Sequence, residues 1–309
     1  MRRFDDRAWS VICVLLAATC WGTIGTSYVV MLDRIAIDGV TVVTIRAVTA
    51  TLLIWVWALV KDRAALRLAP DQLPNFILFG FLSVTVNYLA LIYAIEETSV
   101  AVGTVLLYVA PALVTLGAAR FLGERITPQK IVALALTFGG VVLVVRVYDP
   151  TNLRVSPSGL SLGLLAATGY ASYSLFGKPL LVHHRPATVL AYNLMLGAIG
   201  LIATKLILSP TEWPSPRDAL VVAAYTGLVT TLVPLTLYTL GLRGLPSSEA
   251  SILSTFEPVV ALILAATVLG ETLAAGQWLG AACVMAGVIL LSWRRGYHQR
   301  WRVLSRIAR

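Results

Sequence analysis

Ala110-Pro111, Leu122-Gly123-Glu124 and Gly140-Val141-Val142-Leu143 return 147 residues later as Glu257-Pro258, Leu269-Gly270-Glu271 and Gly287-Val288-Ile289-Leu290. Three landmarks that keep their spacing mark an internal duplication, and each lies in or beside a long apolar run. Working outward from them, spans of roughly 20 apolar residues, the length a bilayer of about 30 Å requires, recur along the chain. They are expected near 9–32, 39–60, 74–95, 99–121, 128–148, 157–180, 187–208, 218–240, 247–269 and 274–293. Five spans per copy is an odd number, so the two copies enter the membrane with opposite polarity. Inverted repeats of this kind characterise secondary transporters, whose site lies near the bilayer midplane between the repeats. The expected fold is an all-α integral membrane protein: ten transmembrane helices as two inverted five-helix repeats around a central cavity. The first repeat is expected over 9–148, the second over 157–293, and a basic cytoplasmic tail over 294–309.

Composition agrees. Of 309 residues 58% are hydrophobic and only 13% charged, against roughly a quarter charged in soluble proteins. The links are too short for a soluble domain. The net charge of +9 is a topology signal and not a nucleic-acid footprint, because with ten spans it sorts by side. Eighteen Lys and Arg residues fall on the side of the N-terminus and five on the other, with Arg46 inside a span. The positive-inside rule then places both termini in the cytoplasm. The tail from Trp293-Arg294-Arg295 to Trp301-Arg302 mixes arginine with aromatics and could rest on anionic lipid or simply anchor the topology. Cys13, Cys20 and Cys283 fall in spans and form neither a disulfide framework nor a zinc pattern. Arg2, Arg3 and Arg7 before an apolar run imitate a signal peptide, but nine further spans point to a retained first helix.

The proline of spans four and nine, the Leu-Gly-Glu that follows, the glycine-rich next span, Trp21-Gly22 and Arg46 together resemble the EamA type of the drug/metabolite transporter superfamily. The resemblance covers nearly the whole chain, although each motif alone is short. It implies a central cavity opening alternately to each side, a bacterial inner-membrane location, and export of amino acids or related small metabolites. It names no substrate. The copies differ in charge, since Arg46 aligns with Asn193 and Arg125 with Thr272.

Ionisable groups deep in a span are functional candidates by default. Arg46, in span two, could hold a substrate carboxylate in bidentate fashion. Glu257, midway along span nine, could carry a coupling proton; a structural ion pair or hydrogen bonds to a neighbouring helix are the alternatives. Pro111 and Pro258 remove a backbone donor and kink their helices. Thr104, Tyr108, Pro111 and Thr115 share one face of span four, and Ser247, Ser251, Ser254, Thr255 and Pro258 one face of span nine. These stripes fit either a cavity wall or interhelical hydrogen bonding. Glu124 and Glu271 are candidate gates, or simply solvated helix ends. Glycines 276, 280 and 287, with Gly22, Gly25, Gly139 and Gly140, are expected at close helix contacts.

Trp9, Trp55, Trp57, Trp278 and Trp293 sit near span ends, as interfacial belts do. Trp21, Tyr88, Tyr93, Tyr170, Tyr173, Tyr192 and Tyr238 lie within spans, where amphipathic rings suit a ligand site. The expected substrate-binding set is Trp21, Thr23, Arg46, Tyr88, Tyr108, Tyr170, Tyr173, Asn193, Ser251 and Thr255. The coupling or gating set is Glu257, Pro111, Pro258, Glu124 and Glu271. Helices one to four and six to nine are expected to form the cavity, braced by five and ten.

Gly159-Leu160-Ser161-Leu162-Gly163 spells a hydrolase elbow, but that motif needs a preceding strand and a nearby histidine. His183-His184 lacks the i, i+4 spacing of a helical metal site. No enzymatic role, metal or cofactor is expected. The expected partners are a small-molecule metabolite and membrane lipid, not nucleic acid, and the oligomeric state stays open. The competing class is a membrane-embedded enzyme or lipid-handling protein, which would need catalytic carboxylates, histidines or metal ligands clustered at one depth.

Overall fold

The computed structural model describes residues 2–32, 35, 37–150 and 155–292, with side chains for 7–30, 35, 37–150 and 155–292. Arg34, the middle of the inter-repeat connector (151–154), Trp293 and the basic tail 294–309 lie outside the described residues.

The helices are α1 (Arg7–Val30), α2 (Gly39–Lys61), α3 (Pro70–Glu97), α4 (Val100–Phe121), α5 (Pro128–Val145), α6 (Pro157–His183), α7 (Pro186–Ile207), α8 (Pro216–Gly244), α9 (Ser247–Val268) and α10 (Ala275–Ser292). Among the described residues there is no strand, and nine of these helices are long and apolar enough to cross a bilayer. The tenth, α6, has 27 residues and the length to span, but it is rich in Ser, Gly, Thr and Tyr and much of it is buried. Its partners are other helices, so it needs less apolar surface.

Local sequence sets the helix ends. Pro128, Pro157, Pro186 and Pro216 open their helices, where the missing N–H is no loss. Thr127, Ser156 and Ser215 cap three of them, accepting from the N–H of Lys130, Gly159 and Asp218 at 3.4, 3.0 and 3.2 Å. The repeated Leu-Gly-Glu is a helix stop. Gly123 and Gly270 adopt φ of 67° and 69°, a left-handed conformation that glycine enters without strain. The next N–H then turns back to the helix, Glu124 to the Ala118 carbonyl at 3.0 Å and Glu271 to that of Ala265 at 3.1 Å.

The proline of each copy breaks its span. In α4 the helix is interrupted at Tyr108-Val109 between Val100–Leu107 and Ala110–Phe121, and in α9 at Thr255-Phe256 between Ser247–Ser254 and Glu257–Val268.

Packing follows the repeat. α1 lies on α8 as α6 lies on α3; α1 meets both halves of α9 as α6 meets both halves of α4; α2 packs on α8 as α7 packs on α3. α2 pairs with α7 and α5 with α10, each with its own counterpart. The α2–α7 pair is pinned at both ends, by Arg185–Asp62 at 2.5 Å and Lys205–Asp38 at 3.4 Å. In the α5–α10 pair a Cβ on either Gly140 or Gly280 would stand 2.6 Å from the other's carbonyl oxygen. Gly287 rests on Thr137 and Ala133, and Gly22 on Val260 and the Glu257 carbonyl. Gly25 and Gly139 are exceptions to the expected contacts, with open space where a Cβ would be. Trp9, Trp57 and Trp278 are exposed as a belt requires. Trp55 is not; its indole turns inward to the Ala191 carbonyl at 3.3 Å and the Tyr192 ring.

Candidate functional site

A cavity of about 840 Å³ runs from mid-bundle to one end. Its walls come from α1, α2, α3, α4, α6, α8 and α9, and none of its lining residues belongs to α5, α7 or α10. The absence of α7 departs from the expected eight-helix wall; α7 stands behind α2 and α3. The cavity reaches exposed Tyr28, Glu96, Val100 and Glu271 at the mouth.

Arg46 is the one cation among the described lining residues. Its Nε donates to Thr231 Oγ1 at 2.7 Å, its Nη2 to the Thr230 carbonyl at 3.1 Å, and its guanidinium lies 4.7 Å from the Tyr88 ring centre. Thr230 and Thr231 belong to a π-helical stretch of α8, Ala223–Leu232, and α3 has another at Phe81–Val86. Such stretches depart from the regular α-helical pairing and occur often at functional sites. Asn193 holds the place of Arg46 in the second copy and donates to Ser83 Oγ at 2.6 Å, in the π-helical stretch of α3. It is fully buried behind Ser83 and is not among the residues that line the cavity.

Glu257 faces the cavity at the break in α9, with the Tyr108 hydroxyl and the Arg46 cation nearby. Gly22 lets α1 reach the Glu257 backbone, which sets Trp21 beside the break. Trp21 packs against Tyr170 and Tyr238 with ring centres 6.4 and 5.6 Å apart. Tyr173 follows at 5.8 Å from Tyr238, with Phe79 at 5.3 Å beyond it. Ser174 Oγ and the Tyr238 hydroxyl are 2.7 Å apart. This aromatic floor closes the cavity from below.

Of the expected residues, the cavity gathers Trp21, Arg46, Tyr88, Tyr170, Tyr173, Glu257 and Glu271. The others do not line it. Thr23 bonds to the Cys20 carbonyl at 2.7 Å and accepts from Tyr225 at 2.7 Å. Tyr108 and Ser251 are buried, the latter against Tyr238. The Thr255 hydroxyl returns to the Ile252 carbonyl at 2.6 Å. Pro111 and Pro258 are buried within their helices. No residue of either polar stripe lines the cavity, and Thr115, Ser247, Ser254 and Thr255 are engaged in local or interhelical hydrogen bonds.

Glu124 lies at the sealed end. Its carboxylate accepts from the Ser247 N–H at 2.5 Å, from Lys130 at 3.1 Å and from the Ser248 hydroxyl. Arg7–Glu249 at 2.8 Å and Lys178, which donates to the carbonyls of Leu242, Arg243 and Leu245 at 2.7, 3.2 and 2.7 Å, complete that seal. Ser83, Asn87, Ser174 and Tyr238 also line the cavity and were absent from the expected set. The i, i+4 pair of Ser83 and Asn87 mid-span was a readable signal.

Inverted repeats around a cavity open at one end and sealed at the other define a secondary membrane transporter. No metal-binding group of His, Cys, Asp and Glu occurs among the described residues. The chain belongs to the EamA-like transporter family, which matches residues 8–146 and 157–293. It is 29% identical over 293 residues to the uncharacterized transporter YwfM of Bacillus subtilis, covering 90% of this chain and 92% of that one. A probable amino-acid metabolite efflux pump of Salmonella typhimurium is 24% identical over 75% of this chain and 81% of its own. A crystal structure at 15% identity has the same fold, with a TM-score of 0.78 over 92% of this chain and 96% of that one.

Proposed function

We propose that the protein exports small zwitterionic or aromatic metabolites, amino acids or their relatives, by alternating access across a bacterial inner membrane. The observation that carries this reading is one cavity with a fixed cation, Arg46, and a carboxylate, Glu257, above an aromatic floor. Its volume lies within the range of about 300–1,000 Å³ usual for small-molecule sites. Arg46 takes the substrate carboxylate, Trp21, Tyr88, Tyr170 and Tyr173 enclose its body, and Glu257 carries the coupling proton. The breaks before Pro111 and Pro258 are the hinges. The sorting of basic residues supports cytoplasmic termini, and the tail 294–309 rests on anionic lipid.

The test is flux of radiolabelled amino acids, chosen by profiling the medium of overproducing bacteria, across vesicles holding the purified protein. Export that Trp21→Ala and Arg46→Ala each abolish is the expected result. Flux unchanged in Arg46→Ala rejects the carboxylate clamp. A pH dependence unchanged in Glu257→Gln rejects proton coupling.

A further inference from the structure

At the sealed end Glu124 reaches from the first repeat into the second. It follows the left-handed Gly123, and its carboxylate meets the start of the Ser247–Ser254 helix. There it takes the N–H of Ser247 at 2.5 Å and of Ser248 at 3.4 Å, together with the Ser248 hydroxyl. Lys130 binds both the carboxylate, at 3.1 Å, and Ser248 Oγ, at 2.6 Å. All four residues are buried. A carboxylate supplied in trans thus satisfies donors that a helix N-terminus leaves open, where negative charge is also favoured by the helix dipole.

The repeat places the same parts at the other end. Glu271 follows the left-handed Gly270 with the same turn back to its helix, and it stands exposed at the cavity mouth. Across the mouth begins the Val100–Leu107 helix, and Val100 and Ala101 correspond to Ser247 and Ser248. Ser99 caps the Val102 N–H at 3.2 Å, and the N–H groups of Val100 and Ala101 take no partner among the described residues. Val100 is 67% exposed and lines the same mouth.

We propose that Glu124 and Glu271 are exchanging locks. In the state seen here Glu124 caps α9 and holds its end shut; in the opposite state Glu124 releases α9 and Glu271 caps α4 at Val100 and Ala101. The proposal rests on the transporter reading and adds the contacts that hold each state. The two locks are unequal. Gln277 replaces Lys130 and is occupied with the Val144 carbonyl at 3.1 Å, and neither Val100 nor Ala101 offers a hydroxyl. Hydrogen bonds assisted by a second charge are the stronger kind, so the conformation seen here is the resting one.

The experiment measures distances by pulsed electron resonance in vesicles, with labels at Glu96→Cys and Leu269→Cys across the mouth and the three natural cysteines replaced. Glu124→Gln is expected to raise the mouth-closed population roughly tenfold or more, and Lys130→Gln to do the same if the former folds poorly. Gln277→Lys, at a half-buried position, is expected to raise it as well by completing the second lock. Val100→Pro removes a proposed donor at a first helical position where proline is tolerated. It is expected to reverse the gain of Gln277→Lys. Unchanged populations in Glu124→Gln, Lys130→Gln and Gln277→Lys, with the parent protein still sampling two distances, overturn the locks and leave the transporter reading standing. A single distance in every variant under every condition overturns both.

Discussion

Replacing Gly140 with alanine tests whether α5 and α10 are held by backbone proximity alone. The added Cβ would stand 2.6 Å from the Gly280 carbonyl oxygen, 2.7 Å from Val284 Cγ2 and 2.9 Å from the Val284 nitrogen. Two of those atoms are backbone and cannot turn aside. To restore an ordinary 3.4 Å contact the helices must part by about 0.8 Å. A gap of that size forfeits about a quarter to a half of the dispersion energy of each contact, and lipid supplies no hydrophobic drive to offset the loss. Overpacking in cores costs about 1–3 kcal/mol, so a loss of about 2–3 kcal/mol is expected. Gly139→Ala, one residue away, meets nothing within 4 Å, and it should gain about 0.5–1 kcal/mol from the helical preference of alanine. The predicted gap of about 3 kcal/mol exceeds a hundredfold in the unfolding equilibrium. The assay is reversible unfolding in mixed micelles followed by circular dichroism, with flux per folded protein measured alongside. That flux should hold, because neither helix lines the cavity. Gly280→Ala should cost as much as Gly140→Ala, and the double variant less than the sum, since the first alanine already parts the helices. Equal stability of Gly139→Ala and Gly140→Ala would refute the reasoning.

Arg46→Lys keeps the charge but cannot donate to Thr231 and Thr230 while lying over Tyr88; flux in vesicles should fall roughly tenfold or more while folding is retained, and wild-type flux would show that only the charge matters. Lys178→Met leaves three carbonyls at the end of α8 without their ammonium donor, and should lower stability by about 3 kcal/mol; an unchanged midpoint in the same unfolding assay would contradict this. Asp38, just before α2, is held down to about 2 although burial alone would raise it, because hydrogen bonds from Thr211 and Thr41 and the charge of Lys205 outweigh burial. A depressed carboxylate stabilises above its ordinary value of 3.8 and loses that stabilisation as pH falls toward about 2. The melting difference between wild type and Asp38→Asn should therefore be constant from about pH 8 to 5 and shrink below about pH 4; a difference that grows with acid would reverse the sign.

Periodicity and punctuation carried most of the architecture. The 147-residue offset, the Thr-Pro and Ser-Pro starts and the glycine stops each have a local cause that survives in any environment. The faces of the spans were less legible. A hydroxyl on an apolar helix can turn to a cavity, to a neighbour or to its own backbone, and Thr115, bonded to the Pro111 carbonyl at 2.7 Å, took the last course. Residue type alone does not distinguish these outcomes. The π-helical stretches of α3 and α8 left no mark in composition either, yet one of them supplies both hydrogen-bond partners of Arg46.

The repeat explains more where its copies have diverged than where they agree. Shared residues, such as the two Gly-Glu turns, make the geometry available twice, once at each end of the bundle. Divergent residues assign each copy a different task. Arg46 presents a cation to the cavity while Asn193, at the matching place, serves packing behind Ser83. Lys130 reinforces one carboxylate while Gln277, at the matching place, turns to the Val144 carbonyl. A perfectly symmetric pair of repeats would hold its two states at equal energy and carry its charge equally in both halves of the cavity. On the proposed reading, divergence at these few positions sets both what the cavity can hold and which end rests open.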